Sequence, residues 1–229
     1  DPPPGLPRWY DFSREHILRS VEGILQRLQT DYLDILILHR PDFLLDPDEI
    51  LEAFDQLRRS GKVRHFGVSN FTPPLLDLFR EAGFLPAAHQ VELSLLKNSL
   101  LGANLVAEGG QPLAGHTADG TLEWHRRHGV LTQAWAPLAY GYLSGRAHEG
   151  TDARLDRAAR AVGEMALAHG VPPEAIVIGW LLRHPAGIQP VIGSRHPERL
   201  RACHQALSLT LDRQDWYRLL MASREEPIP

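Results

Sequence analysis

The pattern of apolar and polar positions predicts helices that alternate with short strands. Residues 13–28 repeat apolar side chains at helical spacing behind Ser13, a typical N-cap residue. Residues 32–38 form a short, largely apolar run that contains branched side chains, which predicts a buried strand. The predicted strands are 32–38, 63–68, 87–93, 130–135 and 189–192. The predicted helices are 13–28, 46–61, 72–83, 120–128, 154–169, 173–184, 197–206 and 212–222.

Helix boundaries follow from local residue chemistry. Asp46 is a predicted N-cap, Pro47 suits the first helical position, and Glu49 is placed to complete a capping box. Segment 94–118 lacks clear periodicity and contains four glycines, so we predict a loop there.

Strands that alternate with helices predict βαβ units and parallel pairing, which an open flavodoxin-like sheet and a (β/α)₈ barrel both satisfy. Polar or aromatic residues end all five predicted strands. In a barrel the carboxyl ends of the strands converge on the active-site face, whereas an open sheet uses mainly its switch point. We therefore predict an α/β fold of the TIM-barrel class. The strand-end residues are His39, Ser69, Asn70, Gln90, Trp135, Gly193 and Ser194.

The number of strands bears on domain organisation. A full barrel needs eight strands, and the sequence predicts five. Residue 1 is Asp and is followed by a proline-rich turn sequence. We expect residues 1–229 to be a single partial TIM-barrel domain, with about three βα units preceding it.

Composition narrows the classes of partner. The net charge of −4 argues against nucleic-acid binding, and no apolar run reaches the roughly 20 residues that cross a bilayer. A single cysteine, Cys203, excludes an internal disulfide and favours a reducing compartment. We expect a cytoplasmic protein with a small-molecule ligand, present as a monomer or weak homo-oligomer, without nucleic-acid or membrane partners.

Five stretches of the sequence resemble the aldo-keto reductases, and most closely the bacterial members described simply as oxidoreductases. They cover nearly the whole chain in the order found in the family, although segment 97–119 is longer than the corresponding loop. The stretches are DYLDILILHRPD (31–42), GKVRHFGVSNF (61–71), HQVELS (89–94), TQAWAPLAYG (132–141) and VIGSRHPERLRA (191–202). The resemblance implies reduction of aldehydes or ketones by NADPH without a metal. Hydride comes from the nicotinamide, and a tyrosine supplies the proton.

By this resemblance His39 orients the substrate carbonyl; the alternative is a histidine that merely sits at the barrel rim. Ser69, Asn70 and Gln90 match the contacts to the nicotinamide carboxamide, a group whose donors and acceptor suit amide side chains. Asn70 is also a plausible turn residue or helix cap. Trp135 matches the aromatic ring that stacks on the nicotinamide, the alternative being a core tryptophan.

The other matched positions concern the rest of the cofactor. Ala136 and Leu138 match the loop beside the pyrophosphate, and Gly193 and Ser194 match the adenosine end. Arg195 and Arg199 match positions suited to a 2′-phosphate, which favours NADPH over NADH; the alternative is ordinary solvated helix charge.

The family's aspartate, tyrosine and lysine have no counterpart in this chain, so we expect them upstream of residue 1 and expect these 229 residues alone to be inactive. Two alternatives remain open. One is a cofactor-binding regulatory or scaffold barrel with little or no catalysis. The other is a truncated product that is unable to close its barrel.

Overall fold

The computed structural model describes residues 9–102, 120–146 and 152–224. It confirms the alternation of helices and strands, with most boundaries within two residues of those predicted. The strands are β1 (Leu33–Leu38), β2 (Val63–Ser69), β3 (Ala88–Glu92), β4 (Leu131–Trp135) and β5 (Gln189–Pro190). The helices are α1 (Arg14–Leu28), α2 (Pro47–Arg59), α3 (Pro73–Glu81), α4 (Thr121–His128), α5 (Ala153–His169), α6 (Pro173–Leu182), α7 (Pro197–His204) and α8 (Arg213–Ala222).

The strands lie in one five-stranded sheet whose strand order, β1-β2-β3-β4-β5, is the chain order. Pairing is parallel between β1 and β2, between β2 and β3, and between β4 and β5. The α/β class with successive βα units is therefore confirmed. Closure of an eight-stranded barrel and the single-domain organisation stay predictions.

The chain divides into two compact units, with the boundary after Gln90. In the first unit, the register sets Ile37 opposite Gly67 and Ser69 opposite Gln90. Its core is aromatic: the rings of Phe54 and Phe66 stack with centroids 3.9 Å apart. Helix α2 thereby packs its apolar face onto β2, as its sequence periodicity predicts.

The caps of the first two helices explain where these helices begin. Ser13 Oγ accepts a hydrogen bond from the His16 backbone at 3.3 Å. Asp46 Oδ1 accepts from the Asp48 backbone at 3.0 Å, so Asp46 caps α2 as predicted. The predicted capping box is replaced, however, by a tertiary contact: Glu49 Oε1 accepts from the Arg14 backbone at 3.0 Å and links α2 to α1.

Strand β1 is less buried than its apolar sequence predicts. Only Leu38 is fully buried, and Ile35 is 39% exposed. The position of β1 at one end of the strand order explains this, because a terminal strand has a paired neighbour on one side only among the described residues.

In the second unit, β4 pairs with β5, and the Leu93 backbone donates to the Trp135 carbonyl at 3.4 Å. Strand β5 is shorter than predicted, although the Val191 backbone, just beyond it, still donates to the Ala134 carbonyl at 2.8 Å. The core includes Met165 and Trp180 on α5 and α6. The short 3₁₀ helices are Ser99–Gly102, Ala139–Ser144 and Gln205–Ser208.

Segment 94–118, predicted as a loop, is described only as far as residue 102, and most of it lies outside the described residues. Within the described ranges, no single helix is both long and apolar enough to cross a membrane. Helices α5 and α6 meet that test only when joined, and they are bent by 97° at their break.

Candidate active site

In the first unit, the predicted site residues lie at or near the carboxyl ends of three paired strands. His39 directly follows β1 and is exposed. Ser69 is the last residue of β2 and is buried, and Asn70 follows it with a left-handed backbone, φ 60°. Gln90 lies half-buried in the middle of β3, opposite Ser69. His39, Ser69 and Asn70 thus lie at or directly after strand ends, whereas Gln90 lies inside β3 and not at its end, and the roles of all four residues stay predictions.

Asn70 connects β2, β3 and the residue after β1 by hydrogen bonds. Its Nδ2 donates to Ser69 Oγ at 2.8 Å and to the His39 carbonyl at 3.4 Å. Its backbone N–H donates to the Gln90 carbonyl at 2.9 Å. Asparagine is one of the few residues that tolerate a left-handed backbone, so Asn70 serves as a turn residue whatever else it binds. This is the alternative that the sequence left open.

His89 is a residue of this region that the sequence argument missed. It is completely buried in β3, and its Nε2 accepts a hydrogen bond from the Phe71 backbone at 3.0 Å. Because Phe71 directly follows Asn70, this bond fixes the turn that presents the Asn70 amide. The signal in the sequence was a polar ring inside a strand that is otherwise mostly apolar.

In the second unit, Trp135 ends β4 half-buried, and an unusual loop follows it. Ala136, Ala139 and Tyr140 have left-handed backbones, with φ of 51°, 47° and 58°. Side chains other than glycine, asparagine and aspartate rarely adopt this conformation, and it costs roughly 1–2 kcal/mol per residue. The surrounding structure therefore holds this loop in a defined shape.

This loop and the segment between β5 and α7 together line a cavity of about 750 Å³. Six predicted cofactor residues meet there, although they come from two distant parts of the sequence. The predicted residues that line the cavity are Ala136, Leu138, Gly193, Ser194, Arg195 and Arg199. Trp135 immediately precedes this loop but does not itself line the cavity.

The cavity is strongly cationic. Arg146, Arg195 and Arg199 line it. Among the described residues, no acidic side chain lines the cavity, and none forms a salt bridge with these three arginines. Arg146, which the sequence argument missed, donates through Nη1 to the Tyr140 carbonyl at 3.2 Å and so also supports the loop. Ser194 Oγ accepts from the His196 backbone at 3.2 Å, just before α7 begins.

The predicted role of Gly193 at the adenosine end of the cofactor stays a prediction. A Cβ built at Gly193 meets no other protein atom within 4 Å, so neighbouring protein atoms do not require glycine at this position.

The donor groups of the cavity suit a phosphate-bearing cofactor. Guanidinium groups bind phosphate in a bidentate manner, and the start of an α-helix attracts anions. Arg195 and Arg199 flank the start of α7, and Ser194 adds a hydroxyl. No cluster of potential metal ligands occurs among the described residues.

The first unit carries polar side chains at the carboxyl ends of parallel strands, and the second unit carries a cationic cavity next to the loop that follows β4. Residues 7–221 match the model of the Aldo/keto reductase family, and the chain belongs to that family.

Several relatives of this chain are oxidoreductases by name. The chain is 38% identical over 226 residues to an uncharacterized oxidoreductase, YcsN, of Bacillus subtilis, covering 96% of this chain and 67% of the relative. It is 38% identical over 211 residues to a 6-dehydroglucose reductase of Agrobacterium fabrum, covering 92% and 63%. The chain thus spans about two thirds of the length of these relatives.

A solved structure supports the same family. The chain resembles the thermostable aldo-keto reductase Tm1743, crystallised with the inhibitor epalrestat, with a TM-score of 0.74 and 26% identity. The similarity covers 92% of this chain and 67% of that protein.

Proposed function

We propose that the whole protein reduces aldehydes or ketones to alcohols with NADPH. The observation that carries this proposal is the cationic cavity, in which two segments predicted to bind one cofactor come together around three arginines. Membership of the Aldo/keto reductase family and the naming of relatives as oxidoreductases support it. The relatives support the assignment of this protein to the oxidoreductases of this family.

Each predicted residue has a defined part in the proposal. Arg195, Arg199 and Ser194 hold the adenosine end of the cofactor, and Ala136 and Leu138 lie beside the pyrophosphate. When bound, the cofactor supplies the hydride. Cationic groups around a phosphate also favour NADPH over NADH, because the extra 2′-phosphate adds charge-assisted hydrogen bonds.

At the strand ends, His39 orients the substrate carbonyl, while Ser69, Asn70 and Gln90 bind the carboxamide and Trp135 stacks on the nicotinamide. A hydrogen-bond donor beside the carbonyl oxygen stabilises the negative charge that develops there during reduction. We propose that the proton comes from a tyrosine upstream of residue 1, since no tyrosine of this chain matches that position of the family.

The range of candidate substrates is narrowed only by analogy with one relative. One relative is named a 6-dehydroglucose reductase, which makes sugar-derived carbonyl compounds reasonable members of a test panel. We also propose that the protein acts in the cytoplasm as a monomer or weak homo-oligomer. Its one cysteine, Cys203, is buried and unpaired.

The central experiment measures NADPH consumption by the protein expressed from its complete reading frame, against aldehydes, ketones and sugar-derived carbonyls. We expect Arg195→Ala and Arg199→Ala each to raise KM for NADPH about tenfold or more, because each variant loses at least one charge-assisted hydrogen bond to the cofactor. Arg201→Ala is the matched control, because Arg201 is exposed on the same helix and does not line the cavity. Equal KM values in all three variants would refute the cofactor assignment.

A second experiment separates catalysis from binding. His39→Ala is expected to lower kcat with carbonyl substrates while the affinity for NADPH stays close to the wild-type value. Equal losses of both would contradict the role of His39. Tight NADPH binding with no turnover of any substrate would instead favour the regulatory or scaffold alternative.

A further inference from the structure

A second cavity of the Val91–Pro229 unit lies away from the predicted cofactor residues. It has a volume of about 410 Å³ and lies between the end of α6 and the beginning of α8. Arg183 and His184 precede β5, whereas Gly193 and Ser194 follow it. The second cavity therefore includes residues that precede β5, and the cavity lined by the predicted cofactor residues includes residues that follow it. The second cavity is lined by Arg183, His184, Pro185, Arg213, Trp216 and Tyr217.

Aromatic rings form rigid walls in this second cavity. Trp216 stacks on Trp180 with ring centroids 5.2 Å apart and planes 10° from parallel. Each indole also donates to the other residue's carbonyl, at 3.0 Å from Trp216 and 3.2 Å from Trp180. Tyr217 meets Trp216 edge-on at 5.1 Å, and the His184 ring lies 6.3 Å from it. These contacts fix the Trp216 ring before any ligand arrives.

The polar groups of the same cavity are almost all hydrogen-bond donors. Arg183 uses its Nε to donate to the Leu211 carbonyl at 3.1 Å, which leaves its two Nη groups. Neither Arg183 nor Arg213 pairs with an acidic side chain among the described residues, and none of the six lining residues is acidic.

His184 adds a further donor. Its Nδ1 accepts from the Ala186 backbone at 3.2 Å, so a neutral ring carries its proton on Nε2. Burial, followed by the charge of Arg126, lowers the pKa of His184, although Glu123 opposes this, and the ring is therefore mainly neutral at pH 7.

The acidic residues near the beginning of α8 already have partners. Asp212 Oδ1 accepts from the Asp215 backbone at 2.8 Å and caps the helix. Asp215 Oδ2 lies 2.9 Å from His169 Nε2. Neither of these carboxylates lines the cavity, so neither neutralises it from within.

We propose that this second cavity binds a small aromatic carboxylate. The flat ring would lie against Trp216 and Tyr217, and the carboxylate would accept hydrogen bonds from Arg183 and Arg213. Aromatic walls favour a planar ring, and guanidinium groups favour a carboxylate because two parallel hydrogen bonds fit its geometry. This inference does not depend on the proposed reductase function, because the cavity shares no residue with the predicted active site.

The test uses 2-naphthoate as the probe, titrated into the complete protein by calorimetry in the presence of saturating NADPH. We expect saturable binding, with at least a tenfold weaker affinity for the neutral analogue 2-naphthalenemethanol. Inability of 2-naphthoate to bind, or equal binding of both compounds, would overturn the proposal.

Variants locate the binding. Among the described residues, the Arg213 guanidinium has no hydrogen-bond partner, so Arg213→Gln should leave the fold unaffected. We expect this variant to bind 2-naphthoate about tenfold more weakly. Arg218→Gln is the control on the same helix, since Arg218 faces Glu164 outside the cavity. Binding at the predicted active site would not respond to Arg213. Unchanged affinity in Arg213→Gln would therefore refute the proposed location, even if 2-naphthoate binds.

Discussion

Gly67 is the position where one added methyl group should disturb the structure most directly. It lies buried in β2, opposite Ile37 of β1. A Cβ built on Gly67 lies 2.6 Å from the Ala88 carbonyl oxygen and 3.2 Å from Ile37 Cγ1, whereas ordinary contact begins at 3.4 Å. The nearer atom belongs to the backbone, so it cannot rotate away.

The expected cost of Gly67→Ala follows from this overlap. Forcing one carbon into a packed interior costs about 1–3 kcal/mol, and more when the backbone must shift. Each kcal/mol lowers Tm by roughly 2–4 °C in a protein of about 150–250 residues and by less in a longer one, so Tm of the complete protein should fall by no more than roughly 12 °C. The shift must also separate β2 from β3, where Ser69 lies opposite Gln90, so KM for NADPH should rise as well.

Gly163→Ala is the matched control. Gly163 lies half-buried in α5, where a Cβ meets nothing within 4 Å, and alanine is the better helix former by about 1 kcal/mol. The control should be as stable as the wild type or slightly more so. The assay is urea and thermal unfolding of the complete protein. If Gly67→Ala unfolds within about 0.5 kcal/mol of the wild type, the spacing between β2 and β3 is not as tight as described.

Three further substitutions test other parts of the structure. His89→Leu leaves the buried Phe71 N–H without its acceptor, which should cost about 1–3 kcal/mol in urea unfolding. It should also raise KM for NADPH more than it lowers kcat, whereas His89→Gln, whose Oε1 can take the place of Nε2, should restore both; failure of the rescue would argue against a positioning role. Asp46→Ala should lower the free energy of unfolding by about 1 kcal/mol, and Asp46→Asn should retain most of it; equal losses would contradict the capping role. The pKa of His184 is lowered in the folded protein, so the unfolded chain binds the proton first and stability should fall as pH drops below about 6.5, the usual value. His184→Gln should flatten this dependence in unfolding curves measured across that range, and an unchanged slope would show that another group is responsible.

Much of the fold follows from local patterns in the sequence. Ser13 and Asp46 cap the helices that their positions predict, because a capping side chain needs only the next turn of backbone. Glu49 illustrates the limit of such reasoning. Glu49 was predicted to complete a capping box within its own helix. It accepts a hydrogen bond from the Arg14 backbone instead, a donor 35 residues away, and no pattern within one helix contains that information.

The exposure of β1 has a similar explanation. An apolar run predicts that a strand is buried, but the actual burial of Ile35 depends on which elements lie beside it.

Strand ends were the most informative positions for the site. A residue at the end of a predicted strand, or just after it, can be placed on the carboxyl face from chain order alone, as for His39, Asn70 and Trp135. The structure was needed for residues that act through folded loops. Arg146 reaches the cavity only because the preceding loop bends back, and His89 matters only through the turn at Asn70.

The left-handed residues of the loop after β4 have a consequence for protein engineering. Glycine at Ala136, Ala139 or Tyr140 would relieve backbone strain in the folded state, so a screen for heat resistance would tend to select it there. The same substitutions would let the loop sample many shapes before the cofactor binds, and affinity for the cofactor should fall. Directed evolution for stability and for cofactor affinity should therefore select opposite residues at these three positions.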